Sequence, residues 1–118
     1  MSDQRHERQI RLSEVGIDGQ RRISQARVAL VGCGGLAAGS LPALVGAGIG
    51  YIRLIDDDLV AESNLHRQML FTEEDLGHPK AEVAAALFFF NTLQASFNKE
   101  LLLFFSRGFI CCFLFLDR

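Results

Sequence analysis

A strand without polar alternation must be buried on both faces, and this chain carries one at Arg27-Val28-Ala29-Leu30-Val31. Gly32-Cys33-Gly34-Gly35 follows at once, and Leu36 to Ala47 is a run of small apolar residues suited to a buried helix. Pro42 inside that run predicts a kink or a later helix start. Gly46 and Gly48 close the helix, and Tyr51-Ile52-Arg53-Leu54-Ile55 forms a second strand ending at Asp56-Asp57-Asp58. Strand, glycine loop, helix and strand make the first crossover of a doubly wound sheet. The predicted fold class is therefore α/β: a partial Rossmann-like parallel sheet with flanking helices, ending near residue 87.

The flanks are less regular. Asp18-Gly19 reads as a turn and Gln20 to Gln25 as a short helix leading into the first strand. Leu59 to Pro79 is polar and loop-like, with room for short helical turns. Lys80 to Leu87 consists almost wholly of good helix formers. Beyond it the composition changes: nine of the ten Phe lie from Phe88 onward, whereas ten of the eleven Gly lie before it. That break divides the chain into residues 1–87, the nucleotide-binding part, and 88–118, an apolar Phe-rich tail that reads like translation in a shifted frame. A truncated sheet of this kind would expose an edge and a face, which predicts poor solubility for the chain alone. The apolar blocks of the tail are too short for a membrane span and are interrupted by Ser106-Arg107-Gly108.

A formal net charge of −2 with mixed signs leaves no basic stripe for nucleic acid. The polar start, Met1 to Arg8, has no signal-peptide core, which points to the cytoplasm. Cys33, Cys111 and Cys112 make neither a disulfide framework nor the usual spacing of a zinc site.

Glycines between a strand and a helix let the backbone turn tightly and approach a phosphate, which then meets the free N–H groups of the helix. Gly32, Gly34 and Gly35 are the candidates, and Asp56, at the end of the second strand, stands where an acid commonly accepts ribose hydroxyls. These features serve an adenine nucleotide in general. A loop used only for helix–sheet packing would need the same glycines. The segment after Asp56 is more discriminating. Asn64 can bond phosphate or sugar, Arg67 can fork onto phosphate oxygens, and Lys80 can act as a point charge. A nicotinamide-dependent oxidoreductase leaves those three unexplained. A solvated polar loop, with Lys80 merely opening a helix after Pro79, is the plainer alternative.

Arg8-Gln9-Ile10, Gly19-Gln20, Gly32-x-Gly34-Gly35-Leu36, Ala47-Gly48-x-Gly50, Asp56-x-Asp58, Ser63-Asn64-Leu65-x-Arg67-Gln68 and Gly77-x-Pro79-Lys80 occur in that order. Together they resemble the ThiF/MoeB/HesA group, relatives of the ubiquitin-activating enzymes, from Arg5 to Leu87. The resemblance implies an adenylyltransferase. The terminal carboxylate of a ubiquitin-like sulfur-carrier protein ending in Gly-Gly attacks the α-phosphate of ATP, with Mg2+, giving an acyl-adenylate and pyrophosphate. It further implies that Gly32, Gly34 and Gly35 line the nucleotide and that Asp56 holds the ribose. Asn64, Arg67 and Lys80 sit on the phosphates, and Asp58 has a supporting or metal-proximal role. Arg8 serves as an arginine finger from the second subunit of a homodimer, and Gln68 is structural.

The sequence also departs from the group. Ala37 stands where Gly is usual, and its methyl would crowd the phosphate loop. The later Asp-x-x-Asp-Asn segment and the Cys-x-x-Cys zinc ligands do not occur. Cys33 reads as a small packing residue rather than a transfer cysteine. Besides the adenylyltransferase, two readings stay open: a nicotinamide-dependent oxidoreductase and a non-catalytic nucleotide-binding remnant.

Overall fold

The computed structural model describes residues 3–88, together with the backbone of 93–96 and 113–117. A short 3-10 turn, Asp3–His6, leads into α1 (Glu7–Ile10) and then α2 (Gly16–Gln25). The central unit is β1 (Arg27–Val31), α3 (Gly35–Ala47) and β2 (Tyr51–Ile55), followed by 3-10 turns at Glu62–Asn64 and Glu73–Asp75 and by α4 (Lys80–Leu87). Strands β3 (Leu93–Ser96) and β4 (Phe113–Asp117) complete a four-stranded sheet of order β3-β2-β1-β4.

Strands β1 and β2 run parallel with Arg27 opposite Tyr51 and Val31 opposite Ile55, and β3 lies parallel to β2. β4 joins the other side of β1 antiparallel, so the sheet is mixed and not wholly parallel. Segments 93–96 and 113–117 of the Phe-rich tail thus pair with the sheet. The rest of that tail, including Cys111 and Cys112, lies outside the described residues.

Burial follows from the apolar pattern. Leu30, Ile52 and Leu54 of the strands are fully buried beside Leu41 of α3, and Val60, Leu70, Phe71, Ala81 and Ala84 close the cluster. Helix α3 is apolar on nearly every side, yet only Ala37 and Leu41 are buried, with Ala38, Leu44 and Val45 partly so. This spacing of three and four residues is one helical face. Pro42 lies on the exposed face, and the helix runs through it from Gly35. The later start is not observed: Ala37 and Leu41 before Pro42 and Leu44 and Val45 after it pack on the core, with the ring on the opposite, exposed face. Asp18-Gly19 is likewise no turn: both residues lie inside α2, which begins at Gly16. Ala37, expected to crowd the glycine loop, is 1% exposed and belongs to the core cluster.

The N-terminal helices are tied to the far end of α3 by a polar knot. The Ala47 carbonyl, one of the unpaired acceptors at a helix C-terminus, receives Nε2 of Gln20 at 3.0 Å and Nε2 of Gln9 at 3.2 Å. Gln9 also donates to Oε1 of Gln20 at 2.7 Å. Gly48 then ends the helix in the left-handed region at φ 90°. A Cβ there would stand 2.7 Å from Nε2 of the buried His6, so glycine is required twice over at this position.

Two glycines four residues apart make opposite predictions. A Cβ at Gly50 would collide with the Ser24 carbonyl, whereas one at Gly46, inside α3, meets nothing within 4 Å. Gly50→Ala is expected to cost about 3 kcal/mol or more, and Gly46→Ala to add roughly 0.5–1 kcal/mol. Urea unfolding of the two variants checks both signs.

Candidate nucleotide site

The site is built where the sheet's first two strands end. Gly32 leaves β1 at φ 92°, a left-handed conformation that favours glycine, and its N–H donates to the Ile55 carbonyl at 2.8 Å. Gly34 precedes the helix in extended conformation without any side-chain cap, and Gly35 opens α3. The first N–H groups of α3 therefore have no side-chain acceptor at the helix cap, the arrangement that receives an anion.

Asp56 holds this turn in place. Its Oδ2 accepts the Cys33 N–H at 2.6 Å, and its Oδ1 accepts the Asp58 N–H at 2.7 Å. The carboxylate is 7% exposed. Burial raises its pKa above the ordinary carboxylate value, opposed by the two amides and by the charge of Lys80. Cys33 is fully buried in the core cluster, in keeping with a packing residue.

The two cationic residues arrive by different routes. The chain reverses at Gly77 (φ 80°), so that segment 58–60 lies antiparallel to 78–80. Val60 N–H donates to the His78 carbonyl at 2.9 Å and Lys80 N–H to the Asp58 carbonyl at 3.0 Å. That pairing sets Nζ of Lys80 3.3 Å from Oδ2 of Asp58. The Lys80 side chain is 4% exposed and that of Asp58 69%, so a buried ammonium is held by a hydrated carboxylate. Arg67 comes from the loop after β2. Its guanidinium contacts Oδ1 of Asn64 at 3.2 Å and the Ser63 carbonyl at 3.3 Å.

This loop packs against the glycine turn. A Cβ on Gly35 would meet the Arg67 carbonyl at 3.8 Å and its Cγ at 3.9 Å, and one on Gly34 would meet Nε2 of Gln68 at 3.6 Å. Gln68 is 5% exposed, and its Oε1 has no hydrogen-bond partner among the described residues. Gly34, Gly35, Asn64 and Arg67 are thus brought together, and Asp56, Asp58 and Lys80 form a second linked group at the end of β2. Arg8 joins neither. It is exposed on α1, and among the described residues its guanidinium makes no hydrogen bond or ion pair. Gln9, Gln20 and His6 were given no role from sequence, although Gln9 and Gln20 stood inside the recurring motifs.

A glycine turn between parallel strands, a helix N-terminus without a side-chain cap and nearby cationic side chains are features of a doubly wound domain of the nucleotide-binding kind. The ThiF family matches residues 6–89, and the chain belongs to that family. It is 50% identical over 80 residues to the sulfur carrier protein adenylyltransferase of Thermus thermophilus, covering 68% of this chain and 30% of that protein. Against the sulfur carrier protein ThiS adenylyltransferase of Escherichia coli the identity is 45% over 80 residues, covering 68% and 32%. Among solved structures, E. coli tRNA N6-threonylcarbamoyladenosine dehydratase in complex with ATP aligns at a TM-score of 0.73 and 28% identity. That alignment covers 91% of this chain and 46% of the other. E. coli MccB with ATP aligns at 0.64 and 33% identity, covering 68% and 25%. The chain spans roughly a third of the length of the two sulfur-carrier relatives. No helix among the described residues is long and apolar enough to cross a membrane.

Asp56 gives a pH signature of unusual sign. Because burial lifts its folded-state pKa, the folded chain binds the proton more tightly than the unfolded chain. The Asp56 contribution is most favourable below the unfolded value and is lost as pH rises through the folded one. Asp56→Asn keeps only one acceptor for two amides and is expected to cost about 1–3 kcal/mol at neutral pH. Stability curves of the two proteins, measured from pH 3 upward, should converge as the pH rises.

Proposed function

We propose that this chain forms the ATP-binding part of an enzyme that adenylates the C-terminal glycine of a ubiquitin-like sulfur-carrier protein. The observation that carries the reading is the packing of Arg67 and Gln68 against the Gly34-Gly35 turn, with Arg67 bonded to Asn64 and a nearly buried Lys80 held by Asp58. The names of two similar relatives support the same chemistry, since both are sulfur-carrier adenylyltransferases.

The phosphates of ATP lie against the N-terminus of α3 between Arg67 and Lys80, and the ribose lies toward Asp56. Asp56 already accepts two backbone amides, so it takes ribose hydroxyls on its remaining lone pairs. Attack of the carrier carboxylate on the α-phosphorus forms the mixed anhydride and breaks the bond to pyrophosphate, which leaves with its electron pair. The protein's part is alignment and charge stabilisation, supplied by Arg67, Lys80 and the free amides. Arg8 acts from the second copy of a homodimer.

Magnesium fits the acidic triplet. Asp56, Asp57 and Asp58 offer carboxylate oxygens within 4.8 Å of one another, and hard oxygen donors of this kind suit an ion shared with phosphates. Asp57 and Asp58 would hold it, because they are the more exposed of the three and Asp56 is kept for the ribose. When bound, the ion neutralises charge on the leaving pyrophosphate.

The test is carrier-dependent exchange of labelled pyrophosphate into ATP. Arg67→Ala and Lys80→Ala should each slow it about 100-fold or more. Mg-ATP at 100 times its Kd should stabilise the chain by about 2.7 kcal/mol. Stabilisation by NAD and not by Mg-ATP would replace this reading with the oxidoreductase. Nucleotide binding without exchange would leave a non-catalytic remnant.

A further inference from the structure

The polar knot at the end of α3 sits where the nucleotide does not. Its acceptor is the Ala47 carbonyl at the C-terminus of α3, whereas the glycine turn is at the N-terminus of that helix. Three sequence motifs far apart in the chain meet there: Arg8-Gln9, Gly19-Gln20 and Ala47-Gly48. Gln9 spends both of its described bonds on the knot, reaching Gln20 and Ala47. His6 is 6% exposed and fills the space that a Cβ on Gly48 would occupy. Between those two anchored residues stands Arg8, exposed and uncommitted.

A four-residue helix has no stability of its own, so α1 holds its shape only through what it touches. An arginine meant to meet an anion outside its own domain needs a fixed base, because an unanchored side chain loses more freedom when it engages. We propose that Gln9, Gln20 and His6 are positioning residues that hold Arg8 for use at the nucleotide site of a second copy. This inference rests on the adenylation reading above.

Gln20 is the residue to change. It donates to Ala47 and accepts from Gln9, so Gln20→Ala releases both links while leaving Arg8 and the nucleotide-contacting residues intact. Gln20→Glu keeps the acceptor for Gln9 but sets a carboxylate oxygen against the Ala47 carbonyl, which repels it. Two measurements on the full chain decide the matter. Tryptic cleavage after Arg8 should accelerate about tenfold or more in Gln20→Ala and Gln20→Glu alike, as the open population rises. In pyrophosphate exchange, Gln20→Ala should lower kcat and leave the KM for ATP unchanged. The Arg8→Ala, Gln20→Ala double variant should then be no slower than Arg8→Ala alone.

If Gln20→Ala fails to fold, Gln9→Ala takes its place in both arms, with the same results expected. Unchanged cleavage overturns the proposal. So does a parallel loss in kcat and in ATP affinity, which marks a merely structural role, and so does an additive double variant. A wild-type chain without exchange removes the adenylation reading itself. Exchange in the wild type that Arg8→Ala slows and Gln20→Ala does not would overturn this inference alone.

Discussion

The Asp56 carboxylate joins the two halves of the site. Its two oxygens bond the Cys33 amide in the turn after β1 and the Asp58 amide in the turn after β2. Parallel strands share no hairpin, so their ends need some other tether. Here the tether is a carboxylate in a nearly buried position, whose solvation cost is only partly offset by two charge-assisted bonds. With Cys33 fixed, Gly34 and Gly35 lead directly into the start of α3. With Asp58 fixed, the 58–60 segment can pair with 78–80 and bring Lys80 alongside. Both sides of the candidate site therefore hang on one side chain.

The glycines divide by what makes them necessary. Gly32 and Gly48 have positive φ, where a Cβ is disfavoured whatever surrounds it. Gly50 is glycine because the Ser24 carbonyl occupies the space beside it. Gly34 and Gly35 have no such excuse: a Cβ on either would meet only ordinary contacts, at 3.6 Å or beyond. Nothing in the fold excludes a small side chain at those two positions. That contrast fits a turn kept bare for a ligand, because glycine there answers to neither a positive φ nor a steric block.

Much of this was readable in the sequence because the central unit obeys local rules. The apolar run of residues 28–31 announces a buried strand, Tyr51–Ile55 does so around a single Arg53, and Lys80–Leu87 announces a helix by propensity, each at its observed end. Pro42 misled because its effect depends on which face of α3 it occupies, and the sequence shows a face only once the burial pattern is known. Asp18-Gly19 misled because turn propensity gave way to the packing of α2 against α1. The Asp58–Lys80 pair spans 22 positions and depends on a short antiparallel bridge at Leu59 and Pro79. Single-residue chemistry could name both partners but could not join them. The roles of Gln9 and Gln20 were hidden for the same reason, since their shared acceptor is a backbone carbonyl that the sequence does not mark.

Lys80 is kept in place against two electrostatic penalties. It opens α4, where the helix dipole disfavours a cation, and its side chain is almost wholly buried. A buried ammonium in that position needs an anion within reach. Asp58 supplies that anion at 3.3 Å, yet it is itself mostly exposed and remains hydrated, so its hold on the ammonium is weak. A multiply charged phosphate in the adjoining turn would be a stronger partner for the same nitrogen. The ammonium can then pass from carboxylate to phosphate without moving into water. Asp58, once released, is left facing solvent beside Asp57, free to meet whatever cation accompanies the phosphate.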